Sequence, residues 1–168
     1  MYYYTLMATQ RLYHSVLLTR KIELPISDIG EHLEDTLYKS IVQLLEGKCG
    51  VEGYFKKGSI KIQSYSSGQI IRGNKILFEI VFKAQVCMPV ENMILKVKVV
   101  NITKAGIKAE IDKLPDNPLI IYVMRDHFNE SEYFNNVKVD DIITVRVIGQ
   151  RHEINNSKIY IVGDLVTK

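Results

Sequence analysis

The residues best suited to do chemistry in this chain are cations and aromatic rings, and they sit in its second half. Lys96, Lys98, Lys104, Lys108, Arg125, Arg146, Arg151 and Lys158 are spread there over expected strands and loops, with Tyr122, Phe128 and Tyr160 as the possible stacking rings. Cations that track a phosphate backbone and rings that stack on bases make a single-strand nucleic-acid surface. The same residues also suit a solvated strand face with half-buried tyrosines, and the sequence leaves both readings open.

Covalent chemistry finds little support. The four histidines, His14, His32, His127 and His152, stand far apart, with no cysteine or carboxylate at metal-ligand spacing. No GxSxG, HExxH or P-loop pattern occurs. Asp140-Asp141 is a tight acidic pair, but neighbouring strand residues point to opposite faces, so it reads as turn chemistry. The expectation is a chain that is not catalytic, with no cofactor and no metal. Cys49 and Cys87 read as plain buried thiols.

The bulk composition sets further bounds. The chain has 168 residues, 46% hydrophobic, and a net charge of +3. That is enough for one domain or two small ones. No apolar run is long enough to span a membrane, and the start lacks a signal-peptide pattern. An intracellular protein is expected. The charge is uneven: residues 1–88 carry 11 Lys/Arg against 8 Asp/Glu, whereas residues 89–168 carry 11 of each. A neutral second half argues against binding nucleic acid as a general polycation.

The elements that must position these side chains read as follows. His14–Leu24 is a strand, ended by Pro25. Asp28 with Glu31 resembles a capping box, and Ile29, Leu33, Leu37, Ile41, Leu44 and Leu45 then recur as one helical stripe that closes at Gly47. Strands are expected over Lys48–Phe55 and Ser59–Gln63, then turn chemistry over Ser64–Lys75, then a long strand over Ile76–Val86. The first half is therefore one helix laid on a small antiparallel sheet.

The second half reads as five short strands. Ile94–Thr103 alternates, with Val100 and Ile102 switching phase, and Gly106 marks a bend or bulge before Ile107–Ile111. Leu119–Met124 follows a proline-rich turn, and Arg125–Val139 reads as a loop or short helix. Ile142–Ile148 and Ile159–Val166 form a final pair. This is the pattern of an OB-fold barrel. The fold class is α+β, with an α+β domain over residues 1–88 and an all-β OB-fold barrel over residues 89–168.

The chain also resembles a known family over residues 14–168. The motifs are Ile22-Glu23-Leu24, the helix ending Leu45-Glu46-Gly47-Lys48-Cys49, and Gly53-Tyr54. Phe78-Glu79-Ile80-Val81-Phe82-Lys83-Ala84 follows, leading into Met88-Pro89-Val90-Glu91. Val145-Arg146-Val147-Ile148-Gly149 and Ile159-Tyr160-Ile161-Val162-Gly163-Asp164-Leu165 complete the set. In this order they resemble the larger stalk subunit of archaeal and eukaryotic-type DNA-directed RNA polymerases, the seventh subunit of RNA polymerase II and its counterparts. The pattern departs near Asn92-Met93, where the family has a glycine, and the segment after Gly53-Tyr54 is shorter. Such divergence fits a distant branch, such as one encoded by a large DNA virus.

The resemblance implies a truncated RNP-like first domain that docks on the polymerase core near the clamp. It implies contact between the barrel and nascent single-stranded RNA and initiation factors. Its expected partners are the large subunits of the core and, where present, a smaller stalk subunit. Its location would be the nucleus for a cellular protein, or virion and host cytoplasm for a viral one. The RNA-facing candidates are Lys96, Lys98, Lys104, Lys108, Tyr122, Arg146, Arg151 and Lys158. The docking candidates are Gln63, Tyr65, Gly68, Ile70, Ile71, Arg72 and Gly73, with Ile70-Ile71 an apolar pair in a polar stretch. The positions beside Gly106, often aromatic in such barrels, are Ala105 and Ile107, and each missing stack lowers affinity by about 1–3 kcal/mol. The alternative reading is a free-standing OB-fold protein that binds single-stranded RNA.

Overall fold

The computed structural model describes residues 12–125, 134 and 136–166. The first strand, β1, runs Tyr13–Pro25 and pairs along its whole length with β6, Lys75–Cys87, from Tyr13 opposite Cys87 to Pro25 opposite Lys75. Three short strands share the other edge of β6. These are β3 (Gly53–Phe55), β4 (Lys61–Tyr65) and β5 (Gln69–Ile71), and β2 (Cys49–Gly50) pairs in turn with β3. Alternation along β6 decides which face is covered. Phe78, Ile80, Phe82, Ala84 and Val86 are buried, whereas Glu79, Lys83 and Gln85 are exposed. Helix α1, Leu33–Leu45, lies on the buried face through Leu37, Ile41 and Leu45.

Several local expectations need correction. Asp28 does not cap the helix. It ends a 3-10 turn, Ile26–Asp28, and its carboxylate accepts from the Ser27 hydroxyl. The Ile26 amide donates to the Asn74 carbonyl at 3.0 Å, which ties this turn to the sheet, and the helix begins later, after His32. Leu44 leaves the expected stripe and is exposed, because only three buried positions of the helix meet the narrow sheet. Gly47 takes a positive φ of 72° just past the helix, as the sequence predicts. Lys48–Phe55 is not one strand but a tight hairpin, with Val51-Glu52 at its tip. Gly53 makes it possible: its φ is 118°, and a Cβ there would strike the Cys87 carbonyl oxygen.

The second sheet closes on itself. Strands β7 (Ile94–Ile102), β8 (Gly106–Glu110), β9 (Leu119–Met124), β10 (Ile142–Arg151) and β11 (Ile159–Leu165) form a barrel in the order β10-β11-β9-β8-β7. β9 and β11 pair in parallel, and the other four pairings are antiparallel. This five-stranded closed barrel fits the OB-fold type. The phase switch expected at Val100 is a register shift between Val99 and Asn101. Gly106 is not the bulge. It starts β8, where a Cβ would strike the Val123 carbonyl oxygen of β9.

The described residues bury two apolar clusters. One lies between α1 and the first sheet. The other fills the barrel, and Leu12, Tyr13, Cys49, Tyr54 and Cys87 from the first half belong to it. The join is also polar. The Cys49 amide donates to the Asn156 carbonyl at 2.7 Å, and the Asn155 amide donates to the Cys49 carbonyl at 2.8 Å. Lys57 and Asp116 add an exposed ion pair at 3.0 Å.

Candidate nucleic-acid interface

Barrel registers decide which cations and rings can act together. Lys108 on β8 lies opposite Tyr122 on β9. Tyr122 pairs with Val162 on β11, and Tyr160 stands two residues earlier on the same outward face. Tyr160 in turn lies opposite Arg151 on β10. The result is an outward row across four strands: Lys108, Tyr122, Tyr160, Arg151. The two tyrosines are 36% and 39% exposed, so both remain within reach of a ligand from solvent.

An open cleft of about 480 Å³ adjoins this row, lined by Tyr122, Tyr160, Arg151, His152, Glu153 and Asn156. His152 braces its wall toward the first half, with its Nε2 3.1 Å from the Gly50 carbonyl oxygen. Arg151 is paired with Glu153 at 3.3 Å. Such an exposed pair holds weakly and can open for a phosphate.

The other candidate cations divide. Lys96, Lys98 and Arg146 lie on the β7–β10 side of the barrel, opposite Thr144, Ile142 and Ile94. Lys98 is paired with Asp140 at 2.9 Å, and Arg146 with Asp164 at 3.4 Å. The hydrogen bond that Lys98 donates to the Asp140 carboxylate, with the attraction between their charges, holds the Lys98 ammonium above the usual lysine range. Lys158 donates to the Asn117 carbonyl at 2.5 Å and so buttresses a turn. Lys96 and Lys104 are exposed, and neither they nor Lys108 has a carboxylate partner among the described residues. Arg125 stacks over the Phe134 ring at 5.0 Å. Phe128 and His127 lie outside the described residues.

The missing platform beside Gly106 also has a structural side. Ile107 is buried in the barrel, so a ring at that position would fill core rather than face a base. Ala105 is exposed in the β7–β8 turn and could have carried one.

The docking candidates run from the middle of β6, where Tyr65 lies opposite Ile80, to its end away from the barrel, where Ile70 and Ile71 lie opposite Ile76 and Lys75. Gln63 and Tyr65 lie on β4, Ile70 and Ile71 on β5, and Arg72 and Gly73 in the turn into β6. The Ser64–Lys75 stretch therefore contains a short strand. Ile70 is 76% exposed although it pairs with Ile76. Gly68 lines an open cleft of about 470 Å³ with Ser66, Ser67, Gln69, Leu77 and Glu79.

Sequence reasoning did not find the contacts between the halves. Gly50, His152 and Asn155 carry no motif, and Cys49 stands out only as the end of the Leu45–Cys49 motif; the partners of all four lie about a hundred positions away in the chain. Nor did it single out the surface lysines of the first sheet. Among the described residues no group of three or more His, Cys, Asp or Glu converges as a metal site would require. No described helix is long and apolar enough to cross a membrane.

No family model matches the chain. A protein of Acanthamoeba polyphaga mimivirus, whose name marks it as a candidate DNA-directed RNA polymerase subunit, is similar to it. The two are 23% identical over 175 residues, covering 95% of this chain and 85% of that protein.

Proposed function

We propose that this chain is a non-catalytic subunit of a multi-subunit DNA-directed RNA polymerase, of the larger-stalk-subunit type. Residues 1–88 dock on the core near the clamp, and the barrel of residues 89–168 turns toward emerging single-stranded RNA and initiation factors. A viral polymerase, working in the infected cell and packaged in the virion, fits the divergence of the sequence. The observation that carries this reading is the likeness to the mimivirus protein, which runs nearly end to end in both chains. The helix-on-sheet module followed by an OB-type barrel supports it, in the order the family resemblance implies.

Two features separate it from a free-standing RNA binder. The barrel core takes in Tyr13, Cys49, Tyr54 and Cys87, so the barrel is built to be held by the first half. The tyrosine row offers two rings and two cations, one already paired, which suits weak and sequence-tolerant contact with RNA. A stalk needs no more, because the polymerase already holds the transcript close and raises its effective concentration.

The test is affinity purification of the tagged chain from its natural source, with mass spectrometry of what is retained. Large polymerase subunits should be recovered in near-stoichiometric amounts. Recovery of the chain alone, or with RNA only, overturns the assignment.

A further inference from the structure

The face of the first sheet that the helix does not cover carries a charge pattern unlike the rest of that sheet. Leu17 on β1, Lys83 on β6 and Lys61 on β4 lie directly opposite one another in a single cross-strand row. All three are exposed, and Leu17 is 60% exposed. Two ammonium groups facing each other across neighbouring strands repel, and such pairs destabilise a sheet. The sheet answers its other cross-strand lysines with carboxylates, Lys21 with Glu79 and Lys75 with Glu23. Lys61 and Lys83 have no such partner among the described residues.

A third cation adjoins them. Lys56 sits one row toward the barrel, with its Nζ 3.3 Å from the Gln85 side-chain oxygen and 5.1 Å from the centre of the Tyr13 ring. Beyond it the same face is covered, because Tyr13 and Cys87 pack into the barrel core. The basic row thus stands beside the step where the sheet passes under the barrel. The next row outward is Thr19, Val81 and Ser64, small and neutral.

The chemistry of this face decides what would cover it. Its exposed rows hold no aromatic ring, so bases have nothing to stack on. They do offer aliphatic surface at Leu17 beside unpaired positive charge. We propose that this face docks an acidic segment of a partner protein, with carboxylates between Lys61 and Lys83 and an apolar side chain over Leu17. The stability lost to like-charge repulsion in the free chain is recovered when the segment binds. This surface is separate from both the tyrosine row and the Ile70-Ile71 end.

Fluorescence anisotropy on the full chain tests it, with a labelled strand-length peptide of mixed aspartate, glutamate and leucine as probe. Wild-type protein should bind the peptide, less tightly as salt rises. Lys61→Glu with Lys83→Glu should weaken binding by about tenfold or more. Leu17→Ser should weaken it by a smaller factor, and Tyr122→Ala with Tyr160→Ala should leave it unchanged. Lys61→Gln with Lys83→Gln controls for folding: it should lose affinity while keeping or raising Tm. Equal binding by wild type and the charge-reversed variant, or no binding by wild type, overturns the proposal. So does a charge-reversed variant that loses affinity for oligo(U) RNA but not for the peptide, which would make the row a phosphate contact.

Discussion

Cys49 and Cys87 stand on one face of the first sheet, two strands apart, with Tyr54 paired to both. Strands lie roughly 5 Å apart, so the two Cα atoms are about 10 Å from each other and cannot form a disulfide. Tyr13 completes the row on the far side of Cys87. All four residues are buried in the barrel cluster, where they serve as the floor on which the barrel sits.

This burial makes an alkaline prediction. Desolvation pushes the Cys49 thiol up to about 11 and the Cys87 thiol up to about 12. The unfolded chain loses these protons near pH 9, while the folded chain keeps them. Below that pH both states are protonated and stability is unaffected. From about pH 9 towards 11 and 12 the unfolded state binds fewer protons, so stability falls as pH rises. Cys49 alone accounts for on the order of 3 kcal/mol of this loss. Denaturant titrations across this range should show it, with a shallower fall in Cys49→Ala. A thiol reagent at neutral pH should label native protein only as fast as it opens, and rapid labelling of both thiols would contradict the buried floor.

Gly53 is the tightest point of the hairpin beneath the barrel. Gly53→Ala must hold φ near 118° and place a methyl against the Cys87 carbonyl. The expected cost is about 3 kcal/mol. In a chain of this size that lowers Tm by roughly 6–12 °C. Gly58→Ala, where the added methyl meets open space although φ is 69°, should cost clearly less. Equal melting of the two variants would remove the close approach as the cause.

Tyr122→Ala and Tyr160→Ala report on the barrel face. Each should weaken oligo(U) binding by about 1–3 kcal/mol, or roughly 5- to 150-fold. Lys108→Ala should lower the salt dependence of binding, because it removes one phosphate contact. Charge reversal at Lys98 or Arg146 is a poorer probe, since it would also set a carboxylate against Asp140 or Asp164. RNA affinity unchanged by both tyrosine variants would mean that the row binds something else or nothing.

Ile70→Asp separates assembly from folding. The side chain is largely in solvent, so stability should move by no more than about 0.5 kcal/mol. Recovery of large polymerase subunits with the tagged variant should nonetheless drop sharply. Retention at the wild-type level, with an unchanged melting curve, would place the docking surface elsewhere.

The long elements were legible because their signals are local. Strand β6 alternates in its own residues, the β7 bulge shows as a broken period at Val100, and Gly47 marks the helix end. The hairpin over 49–55 was missed because its two strands are too short to show a period, and only Gly53 hints at the turn. The helix start was misread because a tertiary bond from Ile26 to Asn74 overrode the local capping pattern at Asp28. The candidate cations were found as residue types, but their grouping was not. Cross-strand register put Lys108 and Arg151 with the tyrosines and sent Lys98, Arg146 and Lys158 to partners of their own.

By itself the sequence determined which residues face inward along the long strands β6 and β7, because burial there follows a period of two that the order of apolar and polar residues writes directly. It also carries the resemblance over residues 14–168 from which the proposed function starts. Only the tertiary structure decided that the barrel core takes its floor from Tyr13, Cys49, Tyr54 and Cys87, and that Lys61 must face Lys83. Both depend on pairings between residues more than twenty positions apart, where contacts are chosen by how strands align in space.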